Sequence, residues 1–353
     1  MNRLSHRRGA VLLALVWYPA CTGCNRPARP IFEQTQQEIV WPPPPHPARI
    51  RYVGAIRTAE DLKPSRRGSE ILSRIFGGRK PPDPLYGPRA VTVTSGGNKV
   101  WVADPGGRCL HLFDLENRTY RKIDGTGAHR LLTPVGVCPG SAGSVFVCDS
   151  EAVAIHRLSD RDGSWIESLR LPEELKRPVA LYYDDSAREL FVVDVLGHDV
   201  KVFDANGDLS CTIGGRGEKP GEFNFPSAIA GDAELLWIAD TGNNRIQGIK
   251  RNGEPVKIFG QAGDASGDLA MPKAVALDPD GHVYVVDGRF ENIQIFSAEG
   301  ELLLFFGEEG TGPGQFWLPG GLWIEPGGRI WACDSYNRRL QVFQYVGELD
   351  ADF

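Results

Sequence analysis

Several chemistries leave no mark on this chain. It carries no Gly-x-Ser-x-Gly elbow, no glycine-rich phosphate loop and no Glu-x-x-His pattern, so the nucleophiles, phosphate cradles and metal helices those motifs supply are not signalled. Beyond His6 and His46, the histidines are His111, His129, His156, His198 and His282, scattered without ligand spacing. Cysteine is also sparse. Cys21 and Cys24 stand near the amino terminus, and the other five (Cys109, Cys138, Cys148, Cys211 and Cys333) form an odd set with no metal-type pair. Cys148 and Cys333 occupy places where sister segments have alanine or valine, which points to a small buried apolar role. The amino-terminal apolar run, Ala10 to Trp17, is far shorter than the roughly 20 residues that span a bilayer. Positive charge is scarce over most of the chain. Residues 91–353 hold 24 Lys+Arg against 39 Asp+Glu, a net of −15, which argues against a nucleic-acid partner.

What the chain has in abundance is repetition. A short apolar strand ending in aspartate occurs six times, at Asp104, Asp149, Asp194, Asp240, Asp287 and Asp334, with intervals of 45, 45, 46, 47 and 47 residues. A strand-rich period of roughly 40–45 residues is the signature of propeller blades. The register reaches further: 14 to 16 residues before each aspartate stands a proline, at Pro88, Pro134, Pro178, Pro226, Pro272 and Pro319. Proline suits the first residue of a strand, where no ladder donor is lost. Three residues before each proline is a bulky apolar residue (Leu85, Leu131, Leu175, Phe223, Leu269, Phe316), and two after it a tiny one (Ala90, Gly136, Ala180, Ala228, Ala274, Gly321). Tiny side chains suit innermost strands, because these converge on one axis. In the fourth unit the spacing predicts strands over Ser227–Gly231, Leu235–Ala239, Arg245–Lys250 and Pro255–Phe259, with Asn252-Gly253 as a hairpin turn. The expected fold is all-β: a six-bladed β-propeller of four-stranded antiparallel blades.

Two units go beyond spacing. Gly221-Glu-Phe223 to Pro226 with Trp237 to Gln247, and Gly314-Gln-Phe316 to Pro319 with Trp331 to Gln341, resemble NHL repeats; the fifth unit is a near match, and the first three keep only the spacing. The resemblance covers about residues 86–345 and implies the fold more firmly than an activity. The last unit leaves little chain for a fourth strand after Tyr345, and an open edge invites pairing with other chains. Residues 49–56 have the length and alternation to fill that place, so an amino-terminal strand is expected to close the ring.

The amino terminus is of a different kind. Basic residues, a short apolar run and Ala20-Cys-Thr-Gly-Cys24 resemble a bacterial lipoprotein signal over residues 1–24, with Cys24 the expected lipid attachment site and Cys21 the alternative. Residues 25–48 read as a proline-rich tether, with Trp41-Pro-Pro-Pro-Pro-His-Pro47 favouring an extended stalk. Residues 25–90 carry 12 Lys+Arg against 6 Asp+Glu. Within them, 57–85 read as a linker with a short helix over Ser69–Phe76, expected to dock on the ring. The propeller is expected over 49–346, followed by a tail, 347–353. The chain is thus read as exported and lipid-anchored in the envelope.

The repeat aspartates read as architectural, since a carboxylate at a strand end accepts turn N–H groups just downstream. Arg245 and Arg339, five residues after theirs, are expected to pair with neighbouring blades. Loops on a rigid disc are the natural place for recognition. Arg108, His198, Asn244, Arg289, Phe290, Tyr336 and Arg338 follow the aspartates, with Arg89 and Lys273 beneath them, and this face is the expected contact for a protein, peptide or glycan. No cofactor or metal is expected on this reading. The alternative is a metal-assisted lyase or hydrolase using calcium or zinc in the channel, as lactonase-like propellers do with calcium. The six-bladed lyase that cleaves peptidyl-hydroxyglycine resembles these repeats, but its inner-strand histidines are absent here. The residues after the prolines are Arg89, Val135, Val179, Ser227, Lys273 and Gly320.

Overall fold

Six antiparallel sheets are arranged about one axis. The computed structural model describes residues 31–32, 38–62, 83–125, 129–169 and 175–347. The expected export signal with Cys21 and Cys24, the first part of the expected tether, the helix expected over Ser69–Phe76 and the tail beyond residue 347 lie outside the described residues. Among the described residues no helix is long and apolar enough to cross a membrane.

The inner strands are Ala90–Thr94, Pro134–Gly140, Pro178–Asp184, Pro226–Gly231, Pro272–Leu277 and Pro319–Ile324. Each packs beside the next, and the last returns to the first. Tiny residues hold this ring tight. A Cβ on Gly321 would stand 2.6 Å from the Arg89 carbonyl oxygen and 2.7 Å from the Ala90 Cα; one on Gly136 would stand 2.6 Å from the Cys148 Sγ. The second strand of every sheet is almost wholly buried: Trp101, Phe191, Trp237, Tyr284 and Trp331 come from these strands and fill the layers between blades. Buried indoles find acceptors, as they should. Trp101 Nε1 donates to Asp160 at 2.7 Å, in the next blade, and Trp331 Nε1 to Glu325 at 2.5 Å.

In the fourth blade the strands run over Pro226–Gly231, Leu235–Asp240, Arg245–Lys250 and Pro255–Phe259, within one residue of the sequence reading. Closure also follows expectation: Ile50–Ile56 pairs antiparallel with Arg339–Tyr345, Ile50 opposite Tyr345 and Ile56 opposite Leu340.

The segment before that strand, expected as part of an extended proline-rich tether, does more than space the ring. Val40–Trp41 adds a fifth strand to the closing sheet, paired with Arg51 and Ile50. Trp41 lies against Phe306 and Phe343, with ring centroids 5.7 and 5.8 Å apart. The reason is hydrophobic. A tryptophan beside a row of phenylalanines gains more by burial than by staying with the prolines that follow it.

Candidate functional site

Each inner-strand proline lies opposite a repeat aspartate: Pro134 pairs with Asp149, Pro178 with Asp194, Pro226 with Asp240, Pro272 with Asp287 and Pro319 with Asp334. The segments before the prolines and the turns after the aspartates therefore meet on one face of the disc. All six aspartates are buried. Asp104 accepts the N–H groups of Tyr86 at 2.6 Å, Gly87 at 3.0 Å and Gly107 at 2.9 Å. Asp149, Asp194 and Asp287 likewise take two N–H groups from the pre-proline segment and one or two from their own turn. At least half of the N–H groups in each of these four clamps thus come from upstream of the inner strand, a partner the downstream turn alone does not supply. Asp240 and Asp334 each take one such N–H and bind Arg245 and Arg339 at 2.8 and 2.7 Å, while those guanidiniums also donate to carbonyls of the segment entering the blade. Their main ionic partner is the blade's own aspartate rather than a neighbouring blade.

The residue four after each aspartate has positive φ in every blade: Arg108, Val153, His198, Asn244, Glu291 and Arg338 lie between 48° and 58°. This left-handed turn throws the side chain sideways. In three blades it latches onto the next: His198 Nδ1 accepts the Phe225 N–H at 3.1 Å, Asn244 Nδ2 donates to the Ala270 carbonyl at 2.7 Å, and Glu291 accepts the Leu318 N–H at 2.6 Å. His198 is buried and Asn244 half-buried, so both are engaged between blades rather than free on the face. Arg108, Arg289, Tyr336 and Arg338 are exposed and Phe290 is half-buried. The sequence reading missed the apolar half of this face. Tyr86, Leu196, Phe225 and Trp317 are exposed as Tyr336 is, and the Trp317 and Tyr336 rings meet at a tilt with centroids 5.5 Å apart. The available signal was a bulky residue one or two places before a repeat proline, at Tyr86, Phe225 and Trp317.

Arg89 and Lys273 open the channel. The inner strands line a cavity of about 250 Å³, whose ionisable side chains are Arg89, Lys273, Cys138, Tyr182 and Tyr183; among its described lining residues there is no aspartate, glutamate or histidine. The side chains of Arg89 and Lys273 make no hydrogen bond or ion pair among the described residues. Enclosure by the wall lowers the affinity of both for their protons, and for Lys273 the Arg89 charge adds to that effect. The nearest thiols bring no compensating charge: burial pushes Cys148 up to about 12 and Cys333 upward too. Glu291 is near Lys273, but burial pushes its carboxyl up and its oxygen is engaged by Leu318 N–H.

One other cluster has ligand-like geometry. Asp278, Asp280 and His282 stand together in the hairpin after the fifth inner strand, where His282 Nδ1 lies 2.8 Å from Asp278 Oδ2; this is away from the channel lining.

These features define a six-bladed β-propeller, and the chain has NHL-repeat homologues at low identity. It is 23% identical over 185 residues to NHL repeat-containing protein 2 of Bos taurus, which covers 43% of this chain and 26% of that protein. It is 29% identical over 148 residues to NHL repeat-containing protein 3 of Homo sapiens, covering 38% of this chain and 41% of that one. The chain thus matches well under half the length of these curated relatives. No family model matches it. Among solved structures it is similar to virginiamycin B lyase from Staphylococcus aureus, at a TM-score of 0.55 and 17% identity, over 74% of this chain and 96% of that one. A streptogramin B lyase structure gives a TM-score of 0.56 at 14% identity, over 77% and 85%. At such identity the likeness speaks for the fold alone.

Proposed function

We propose that this propeller is a non-catalytic binding module, tethered in the cell envelope by a lipid at Cys24 and recognising a protein, peptide or glycan through the face that carries the aspartate turns. The single observation behind this reading is the composition of that face: Tyr86, Leu196, Phe225, Trp317 and Tyr336 are exposed together with Arg108, Arg289 and Arg338. Aromatic and arginine side chains are the usual anchors of interfaces. Arrays of envelope peptides and glycans, probed with the parent and with an Arg289→Ala/Trp317→Ala/Tyr336→Ala variant, test it. A ligand lost by at least about tenfold in the variant supports the face; equal binding removes it. Labelling with a lipid precursor in Cys24→Ser and Cys21→Ser variants tests the anchor, which requires loss of label in the first.

The second reading is a metal-assisted lyase or hydrolase working in the channel, favoured by the likeness to propellers whose names are lyases. The lining residues weigh against it, because calcium needs several oxygen ligands and zinc needs nitrogen, sulfur or carboxylate donors. Stoichiometric calcium or zinc in gently purified protein, lost on replacing channel residues, would favour the enzyme.

A further inference from the structure

Two cations share one narrow cavity, and neither forms an ion pair among the described residues. Arg89 and Lys273 occupy the same position in their blades, directly after Pro88 and Pro272, so they belong to one layer at the channel mouth. The sixth blade, which stands between theirs, has Gly320 in that layer and leaves it open. Arg89 lies across this glycine, its Cδ 3.5 Å from where a Cβ would be; Lys273 lies across Gly288, with its Cδ 2.8 Å from the corresponding point. Both stems are thus held against backbone, with the charged ends left to the lumen. Val135 and Val179 complete the layer on the opposite side, and deeper in the wall turns apolar with Val137, Leu181, Ile229 and Leu322.

Like charges held in one cavity without a direct partner are costly. None of the nearby described groups forms an ion pair with either cation. The Asp287 carboxylate is turned to the N–H groups of Ala270, Met271, Arg289 and Phe290 and Glu291 to that of Leu318, so both act on Lys273 only at a distance, and burial keeps the Cys148 and Cys333 thiols protonated. A small anion from solution can supply the direct partner that the described residues do not.

We propose that the channel mouth is a binding site for a compact organic anion, its carboxylate or phosphate held between Arg89 and Lys273 and its apolar body directed along the inner strands. The proposal rests on the binding reading above and gives its ligand a chemistry. Arg89 suits a planar carboxylate or a phosphate because its donors form a fork, while Lys273 contributes a point charge. The cavity sits just below the range of about 300–1,000 Å³ usual for small-molecule pockets, which restricts the body to something the size of a benzene ring or a short alkyl chain.

The test is calorimetric titration and thermal melting of the purified full chain with benzoate, octanoate, inorganic phosphate and, as controls, benzylamine and chloride at matched ionic strength. At least one anion is expected to bind and raise the melting temperature beyond the chloride control, with no effect of benzylamine. Arg89→Met/Lys273→Met is expected to weaken that anion by about tenfold or more. The same double variant should melt no lower than the parent without anion, because it removes two desolvated like charges; this separates loss of the site from loss of the fold. Phosphate binding without benzoate assigns the ligand to phosphate esters, and the reverse assigns it to carboxylates. No response to any anion, or an undiminished response in the double variant, overturns the site. The Arg289→Ala/Trp317→Ala/Tyr336→Ala variant should keep the anion response even where it loses the envelope ligand, so failure of the outer face and failure of the channel site are told apart.

Discussion

At the scale of single residues, the repeat aspartate is the point through which each blade is wired. Asp334 satisfies the Trp317 N–H, the Asn337 and Gln341 amides and the Arg339 guanidinium, and Arg339 is 1% exposed. Replacing Asp334 with alanine strands a buried cation. The expected cost, measured by urea unfolding, is about 3–5 kcal/mol. Asp104 has no arginine partner, so Asp104→Ala leaves only orphaned N–H groups and a buried His111, at a cost of roughly 1–3 kcal/mol. A different carboxylate carries the acid response. Burial pushes the Asp184 carboxyl up, but bonds from Ser186, Ala187 and Arg251 more than offset this and hold it at about 2, against 3.8 ordinarily. A depressed acid stabilises the fold above its unfolded value and loses that contribution as pH falls through the folded one. Stability should therefore drop between about pH 4 and pH 2 by a component that is absent in Asp184→Asn, as followed by melting temperature against pH.

At the scale of elements, the inner strands approach one another so closely that side-chain volume decides whether the ring can close. Gly321 faces backbone of the first blade at 2.6 and 2.7 Å, contacts that cannot yield as a flexible side chain would. Gly321→Ala is expected to destabilise by about 1–3 kcal/mol, read as a shift in the urea midpoint at unchanged slope. The closing sheet depends on chain from the far end of the sequence. Ile50 and Ile56 are fully buried in it and Tyr52 nearly so. Deleting residues 49–56 removes that apolar contact and bares the edge of Arg339–Tyr345, so the melting temperature should fall sharply and the protein should associate; an unchanged melting temperature would refute this closure.

At the scale of the whole molecule, the disc has two unlike regions on one face: an aromatic and arginine-bearing surface around the turns, and a channel mouth holding two cations without an ion-pair partner among the described residues. Neither is needed to make the ring. Tyr336 and Trp317 meet at a tilt on the surface and both are exposed, so Tyr336→Ala should leave the unfolding free energy within about 0.5 kcal/mol of the parent while reducing capture of any ligand bound by that face. Because the same scaffold serves unrelated activities, the face and the channel carry the functional argument, and the fold only positions them.

By itself the sequence determined how many blades there are, where five of the six inner strands begin (the first starts at Ala90, two residues after its proline) and which strand closes the ring. Those properties are written in local periodicity, in a proline that begins a strand and a tiny residue that lines an axis. Only the tertiary structure decided what the loop residues do. His198, Asn244 and Glu291 occupy the same repeat position as Arg108 and Arg338, yet the former reach the next blade while the arginines stand in solvent. That difference depends on what the adjoining blade presents, which no single repeat encodes. Trp41 followed the same rule: its neighbours in sequence are prolines, but its neighbours in space are Phe306 and Phe343.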